Sequence, residues 1–198
     1  MVRLLYVMLI SGMCAACVST PSGVTGRYNR VSHVYSNPAA GFRLVLPPPW
    51  TIRTAPQTFT VPTQLRPDQE QVLEAYHPIA KLGLVIVAQQ GPLLEIADLV
   101  QQMQATAEER LSTALQRPDA TAFQQLSLRK IVLNGRELAE WVYMVTDRTG
   151  EPPTDITVSY YIVKVREQYV YFTFSIPAAQ YPETRSSIES TLATFETL

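Results

Sequence analysis

The chain of 198 residues contains two cysteines, Cys14 and Cys17, and their C-x-x-C spacing is one that redox and metal sites use. A redox pair of this kind is expected beside a βαβ unit, and a structural zinc site normally has four ligands. Only two histidines, His33 and His77, are available as further ligands. The alternative is that this stretch is a processing site rather than a reactive one.

The residues before the cysteines favour processing. Arg3 leads into an apolar run at residues 4–13, and the small residues Ala15 and Ala16 follow. This is the pattern of a secretory signal peptide, and the run is shorter than the roughly 20 apolar residues that span a bilayer. The sequence therefore predicts a signal peptide at residues 1–16.

The stretch Cys14-Ala15-Ala16-Cys17 resembles the lipobox of bacterial lipoproteins, with Cys14 at the position where leucine is usual. The resemblance implies that Cys17 receives a diacylglycerol and that the chain is cut just before it. Val18 follows in place of aspartate, which in Gram-negative lipoproteins implies sorting to the outer membrane. Two other interpretations stay open, namely a signal peptide cleaved without lipidation and a redox or metal pair.

No other part of the sequence indicates catalysis. His77 stands before a proline at the end of a predicted strand, where a metal site would need a companion such as Glu74. Glu108 and Glu109 are neighbours on a predicted helix, so their carboxylates point in different directions. A nucleophile elbow and a phosphate-binding glycine loop are both missing from the sequence. We expect no catalytic residue, no metal and no cofactor.

Aromatic residues are concentrated in the last predicted strands and could form a ligand-binding patch, because tyrosine combines apolar area with a polar tip. The simpler interpretation is that they pair across strands beneath a helix. The residues concerned are Tyr160, Tyr161, Tyr169 and Tyr171, with Trp141 and Tyr143 as possible neighbours.

Composition indicates one folded domain. Apolar residues make up 46% and charged residues 17% of the chain, and the formal net charge is −1. These values are typical of a globular protein, and with no basic block they argue against nucleic-acid binding. We expect a flexible tether at residues 17–35 and one domain at residues 36–198.

Hydrophobic periodicity predicts an α+β fold. An apolar stripe predicts a long helix at residues 95–115, and Pro182 opens a second helix. Asn134-Gly135 predicts a hairpin turn, and six prolines predict a long loop at residues 47–67. The predicted strands are 42–46, 71–78, 82–89, 126–133, 137–146, 156–165 and 169–176.

Three stretches resemble PsbP/Mog1-like domains, the fold of DcrB-like bacterial lipoproteins. They are "NPAAGFRLVLPPPW" at 37–50, "VLNGRELAEWVY" at 132–143 and "YVYFTFSIP" at 169–177. The resemblance implies an α/β/α sandwich around an antiparallel sheet. It also implies an accessory protein rather than an enzyme, and no functional residue is carried over.

These observations together predict a membrane-anchored lipoprotein of the bacterial envelope that binds a protein partner without catalysis. It is expected to face the periplasm from the outer membrane. The alternative is a periplasmic carrier that holds a small ligand or a lipid between sheet and helix. An enzyme with an unrecognised site involving His77 is a third hypothesis.

Overall fold

The computed structural model describes residues 26–52, 67–115, 122–147 and 154–198. The predicted signal peptide at 1–16, the predicted lipidation residue Cys17 and residues 53–66 of the proline-rich loop lie outside these ranges. The described chain forms two antiparallel sheets and two α-helices. The strands are β1 (Arg27–Asn29), β2 (Val34–Asn37), β3 (Phe42–Val45), β4 (Thr51–Ile52), β5 (Gln69–His77), β6 (Leu82–Gln90), β7 (Ala122–Leu133), β8 (Arg136–Asp147), β9 (Thr154–Val165), β10 (Gln168–Pro177) and β11 (Glu196–Thr197). The helices are α1 (Ile96–Leu115) and α2 (Tyr181–Ala193).

The larger sheet has seven strands in the order β4-β5-β6-β10-β9-β8-β7, and every neighbouring pair is antiparallel. The seven strands predicted from periodicity are all present, six of them in this sheet and the seventh, β3, in the smaller one, and most extend one to four residues beyond the predicted bounds. Asn134 and Gly135 form the predicted hairpin turn, with φ of 50° and 75°. Positive φ at both positions matches the type I′ turn that joins antiparallel strands directly.

The smaller sheet has the order β1-β2-β3-β11 and was only partly predicted. The prediction that the flexible tether extends to residue 35 was wrong for its last part, because β1 pairs with β2 over Arg27–Asn29. Tyr28 supports this pairing, since its hydroxyl donates to the Leu46 carbonyl at 2.9 Å. A three-residue strand with one apolar side chain carries too little periodicity to be recognised in a sequence.

A β-bulge in β5 connects the two sheets. The register between β5 and β6 shifts between Gln71 and Leu73, which leaves Val72 outside the regular ladder. The Tyr35 hydroxyl donates a hydrogen bond to the Val72 carbonyl. Gly26 lies directly against Tyr35, because a Cβ at Gly26 would come within 1.9 Å of the Tyr35 hydroxyl oxygen. The start of the small sheet is therefore fixed against the bulge in the large one.

The two helices lie on opposite faces of the larger sheet. Ile188 and Leu192 of α2 belong to the main core, together with the small sheet and side chains such as Phe172. Ile96 and Leu99 of α1 pack instead on Ala139, Ile162 and Tyr169, which point the other way. Among the described residues no helix combines the length and the apolarity needed to cross a bilayer.

Helix α1 confirms the predicted span to within one residue. Its start is fixed by Tyr169, whose hydroxyl accepts from the Leu94 amide at 2.6 Å and donates to the Leu94 carbonyl at 3.0 Å. Glu95 forms an ion pair with Lys164 of β9 at 3.0 Å. The apolar stripe is seen at its first positions, and its remainder from residue 107 onward lies outside the described side chains.

Candidate functional sites

One histidine lies in a turn and the other lies directly before one. His77 ends β5, and its Nδ1 accepts a hydrogen bond from the Ala80 amide at 3.2 Å. Its ring meets Trp50 edge to face, with centroids 5.3 Å apart. His33 has φ of 57°, and its Nδ1 lies 3.3 Å from the Tyr28 hydroxyl. Each imidazole is thus engaged in holding its own turn.

The structure does not bring His77 and Glu74 together. The two residues are three positions apart on a strand whose bulge lies earlier, so their side chains point to opposite faces. Glu74 is buried, and its Oε1 atom has no hydrogen-bond partner among the described residues. Within the described ranges, no three histidine, cysteine, aspartate or glutamate side chains cluster as metal ligands do.

The predicted tyrosine patch is divided between the two faces of the larger sheet. Tyr161 is fully buried in the main core, where its ring meets Phe174 at 6.0 Å. Tyr160 points the other way, as the alternation of a strand requires. Its ring stacks on Trp141 at 5.9 Å and on Tyr143 at 5.8 Å. Hence only part of the predicted set forms one cluster.

The cluster of Trp141, Tyr143 and Tyr160, which we call the aromatic trio, is packed rather than open. Trp141 and Tyr143 are each 8% exposed, and Met103 of α1 packs against the trio. Neighbouring centroids lie 4.9 to 5.9 Å apart, the range of favourable ring pairs. This geometry supports the interpretation that the aromatic residues pair across strands beneath a helix.

The interior between the β7–β8 hairpin and α2 has little free space. A cavity of about 10 Å³ lies there, and its lining includes Leu138, Phe172 and Phe195. A volume of this size holds at most one water molecule. This part of the core therefore offers no room for a carried ligand.

Sequence reasoning missed a buried carboxylate, Glu140, in the middle of β8. Its side chain is 1% exposed and accepts hydrogen bonds from Arg129 Nε at 2.6 Å and Ser127 Oγ at 3.2 Å. Both donors lie on β7, beside Glu140 in the ladder. The available signal was a carboxylate at a position where alternation with Leu138 and Val142 predicts an apolar side chain.

The other oxygen of Glu140 connects the sheet to α2. Arg185 Nη2 lies 3.6 Å from Glu140 Oε1, and the Tyr161 hydroxyl lies 3.4 Å from the same atom. Arg185 also pairs with Glu189 one helical turn later, at 3.0 Å. Glu140 therefore has a cation on each side, one from β7 and one from α2.

Burial determines the protonation of the tyrosines near Glu140. It raises the pKa of Tyr161 far above the ordinary value, and the negative charge of Glu140 acts in the same direction. Burial also raises the pKa of Tyr181, against a smaller lowering by the Ser159 hydroxyl beside it. Both phenols remain protonated at physiological pH. A carboxylate held between Arg129 and Arg185, beside protonated phenols, suits a structural link rather than proton transfer.

Comparison with known proteins reveals a fold rather than a function. No family model and no curated protein sequence matches this chain. The solution structure of cyanobacterial PsbP (CyanoP) from Synechocystis sp. PCC 6803 aligns with a TM-score of 0.56 and 11% identity, over 93% of this chain and 99% of that one.

Two further structures are more distant. A crystal structure from Bacteroides thetaiotaomicron aligns with a TM-score of 0.53 and 15% identity over 84% of this chain, which spans 48% of that protein. The Ran-binding protein Mog1p of Saccharomyces cerevisiae aligns with a TM-score of 0.46 and 8% identity, over 79% of this chain and 90% of that one, and this weaker likeness adds no argument. The predicted PsbP-like fold is confirmed by the CyanoP structure: the residues that the structure describes between 26 and 198 form a mainly antiparallel domain with two helices and the fold of PsbP.

Proposed function

We propose that this protein is a membrane-anchored lipoprotein of the bacterial cell envelope whose PsbP-like domain binds a partner protein without catalysing a reaction. One observation carries the proposal: an apolar run at residues 4–13 leads through Ala15 and Ala16 to Cys17. Such a sequence has the pattern of a signal peptide that is cut just before a lipid-acceptor cysteine.

The acyl chains at Cys17 supply the attachment. One chain gives only reversible membrane binding, whereas the two or three chains of a lipoprotein cysteine give durable anchoring. Val18 directs the protein to the outer membrane, with the domain in the periplasm. The sequence between Cys17 and β1 tethers the domain to the bilayer.

Several features of the domain support a binding role over a catalytic one. The polar groups around Glu140 are engaged with one another, and the aromatic trio is covered by α1. Both histidines hold turns. We further infer, as the resemblance to PsbP/Mog1-like proteins implies, that α1 and α2 are the outer layers of an α/β/α sandwich; the small sheet shares the main core with α2.

The lipid anchor is tested by exchanging each cysteine in turn. In cells that express the full chain, Cys17→Ser is expected to abolish incorporation of labelled palmitate and to release the protein from the membrane fraction, because serine offers no thiol to the lipid transferase. Cys14→Ser is the matched control and should keep both the label and the membrane attachment. Retention of the label by Cys17→Ser would show that the proposed acceptor is wrong.

The partner is tested by crosslinking in native membranes, followed by purification of the full chain. The proposal expects one specific envelope protein whose yield falls in the Cys17→Ser variant. Membrane attachment without any crosslinked protein, together with a tightly bound lipid in native mass spectrometry, would instead support the carrier function.

A further inference from the structure

Three turns at one end of the domain form a connected surface, which we call the apolar tip. It comprises residues 30–33 between β1 and β2, residues 46–50 after β3, and residues 77–81, which run from the last residue of β5 to the start of β6. The Leu46 amide donates to the His33 carbonyl at 2.8 Å, which joins the first turn to the second. Trp50 packs against His77 and joins the second turn to the third.

The tip carries the two most exposed large aliphatic side chains of the described residues. Val31 is 91% exposed and Ile79 is 80% exposed. Pro47 and Pro48, which lie in the second of the three turns, are exposed as well. A single exposed aliphatic side chain is ordinary on a protein surface, but several on connected turns indicate a contact surface.

Val31 is held outward by an ordered turn. The Asn29 side chain accepts hydrogen bonds from the amides of Val31 at 2.9 Å and Ser32 at 3.2 Å. His33 closes this turn in the left-handed region, with φ of 57°. These bonds fix the backbone, so Val31 cannot fold back onto the core without breaking them.

Ile79 is presented in a similar way. The His77 ring accepts from the Ala80 amide, and Lys81 closes the turn with φ of 49°. Trp50 stands behind the turn and is 8% exposed, so the aromatic side chain supports the tip without reaching its surface.

The charge of the tip has one sign. Its three turns contain Arg30 and Lys81, both exposed, and no aspartate or glutamate. Neither cation forms an ion pair with a residue that the structure describes. At the same end of the large sheet Asp155 lies three strands away, on β9, where it is hydrogen-bonded to Thr146.

We propose that the apolar tip inserts into the headgroup region of a bilayer that carries anionic lipids. Protein interfaces are anchored by aromatic or arginine side chains seated in pockets, whereas the most exposed large side chains of this surface are aliphatic. Apolar side chains that protrude between exposed cations are the arrangement of membrane-surface segments, whose apolar groups enter the boundary between headgroups and acyl chains. A membrane therefore fits the tip better than a protein does.

The inference goes beyond the proposed lipid anchor and does not depend on it. A lipid at Cys17 would hold the chain near a membrane in any orientation, whereas the tip would fix which end of the domain faces the lipid.

Site-directed labelling of the full chain tests the proposal. A Val31→Cys or Ile79→Cys exchange in a Cys14→Ser background is labelled with an environment-sensitive probe. Val132→Cys is the matched control, because Val132 is 64% exposed and lies beside the Asn134-Gly135 turn at the opposite end of the sheet. The same chain without an introduced cysteine measures any label on Cys17.

Labelled protein is reconstituted in vesicles of phosphatidylcholine, with or without phosphatidylglycerol, and a water-soluble quencher is added. The labels at positions 31 and 79 should become protected several-fold with phosphatidylglycerol, at a depth of about 5–10 Å. The label at position 132 should stay accessible. Exchanging Arg30→Gln together with Lys81→Gln should return the labels at the tip to water.

Three outcomes would overturn the proposal. Equal accessibility of all three labels in phosphatidylglycerol vesicles would show that the tip stays in water. Equal protection of all three would show nonspecific adsorption. Protection that requires an added extract of envelope proteins would assign the tip to a protein partner instead. Because the readout is local to the tip, each result is independent of whether Cys17 is acylated.

Discussion

Glu140 is a charged residue at a position that strand alternation reserves for the core. Its carboxylate is tolerated there because Arg129 and Arg185 approach its two oxygens from different elements. Glu140→Gln keeps the shape of the side chain but removes its charge. We expect it to lower the free energy of unfolding by about 1–3 kcal/mol, since hydrogen bonds to charged groups are lost in a buried place.

Equilibrium urea denaturation of the full chain measures this effect. Glu137→Gln is the control on the same strand, because Glu137 pairs with Lys130 in an exposed position. Its effect should stay below about 1 kcal/mol, as for other surface ion pairs. Equal effects of the two exchanges would mean that Glu140 contributes no more than a surface charge does.

We expect the folded protein to lose stability at alkaline pH because of the buried Tyr161. The ordinary tyrosine pKa is 10.0, and burial raises the pKa of Tyr161 well above it. As pH rises through about 10 the unfolded chain releases this proton, whereas the folded chain keeps it. The contribution of Tyr161 is therefore fully present below pH 10 and is lost progressively above it.

The free energy of unfolding, measured by denaturation at a series of pH values, should therefore decrease as the pH rises above about 10. Tyr161→Phe should make the slope above pH 10 shallower by up to about 1.4 kcal/mol per pH unit, the value for one proton. The slope near neutral pH should not change. An unchanged slope above pH 10 would show that Tyr161 titrates alike in both states.

At the scale of residues, a role could be predicted from the sequence only where adjacent residues indicate it. The spacing around Cys17 is read directly from adjacent residues, although the residue lies outside the described ranges. His77 could be placed at a strand end, but its turn-holding bond to Ala80 could not be foreseen. Glu140 was visible as an anomaly in the alternation of β8, but its partner Arg185 is contributed by a helix 45 positions further along the chain.

At the scale of elements, the β7–β8 hairpin secures the end of α2. The Asn134 side chain donates to the Ala193 carbonyl at 2.6 Å, and Arg136 donates to the Phe195 carbonyl. The Arg136 guanidinium also lies 5.2 Å from the centre of the Phe195 ring. The first bond satisfies a carbonyl that the end of α2 would otherwise leave without a partner, and the second holds Phe195 just beyond the helix.

Arg136→Met is expected to loosen the end of α2 while leaving α1 intact, because it removes the donor and the cation together. Hydrogen exchange should report roughly tenfold faster exchange in the last turn of α2, corresponding to the loss of about 1.4 kcal/mol. Lys130→Met, on the same hairpin but paired in solvent with Glu137, should not change exchange in α2. Unaltered protection in Arg136→Met would show that packing of Leu192 and Phe195 alone holds the helix end.

The longer elements were predictable because each carries its own hydrophobic period. Helix α1 has a stripe over many residues, and β8 and β10 alternate over ten or more. The strands β1, β2, β4 and β11 have two to four residues and were missed. Each of them forms by pairing with the edge of a neighbouring strand. The residues of that neighbouring strand, and not those of the short strand itself, determine the pairing.

At the scale of the whole molecule, the antiparallel character and the two helices were predicted correctly, and the second sheet was not. The sequence of elements could not show that β3 leaves the large sheet and joins β2 and β11 instead. That choice depends on contacts such as Phe42 with Phe195, whose rings lie 5.6 Å apart although the residues are far apart in the chain. Non-local packing of this kind leaves no local pattern to read.

The pairing of β3 with β11 has a consequence for biosynthesis. Arg43 pairs with Glu196, and the Leu198 amide donates to the Gly41 carbonyl at 2.8 Å, so residues 41–43 gain these partners only after residues 196–198 have been synthesised. Phe195 is also needed to fill the core against Phe42 and Phe172. Until residues 195–198 have left the ribosome, the small sheet is incomplete and the core stays open. The core of this domain can therefore close only after Phe195 and β11 have been synthesised.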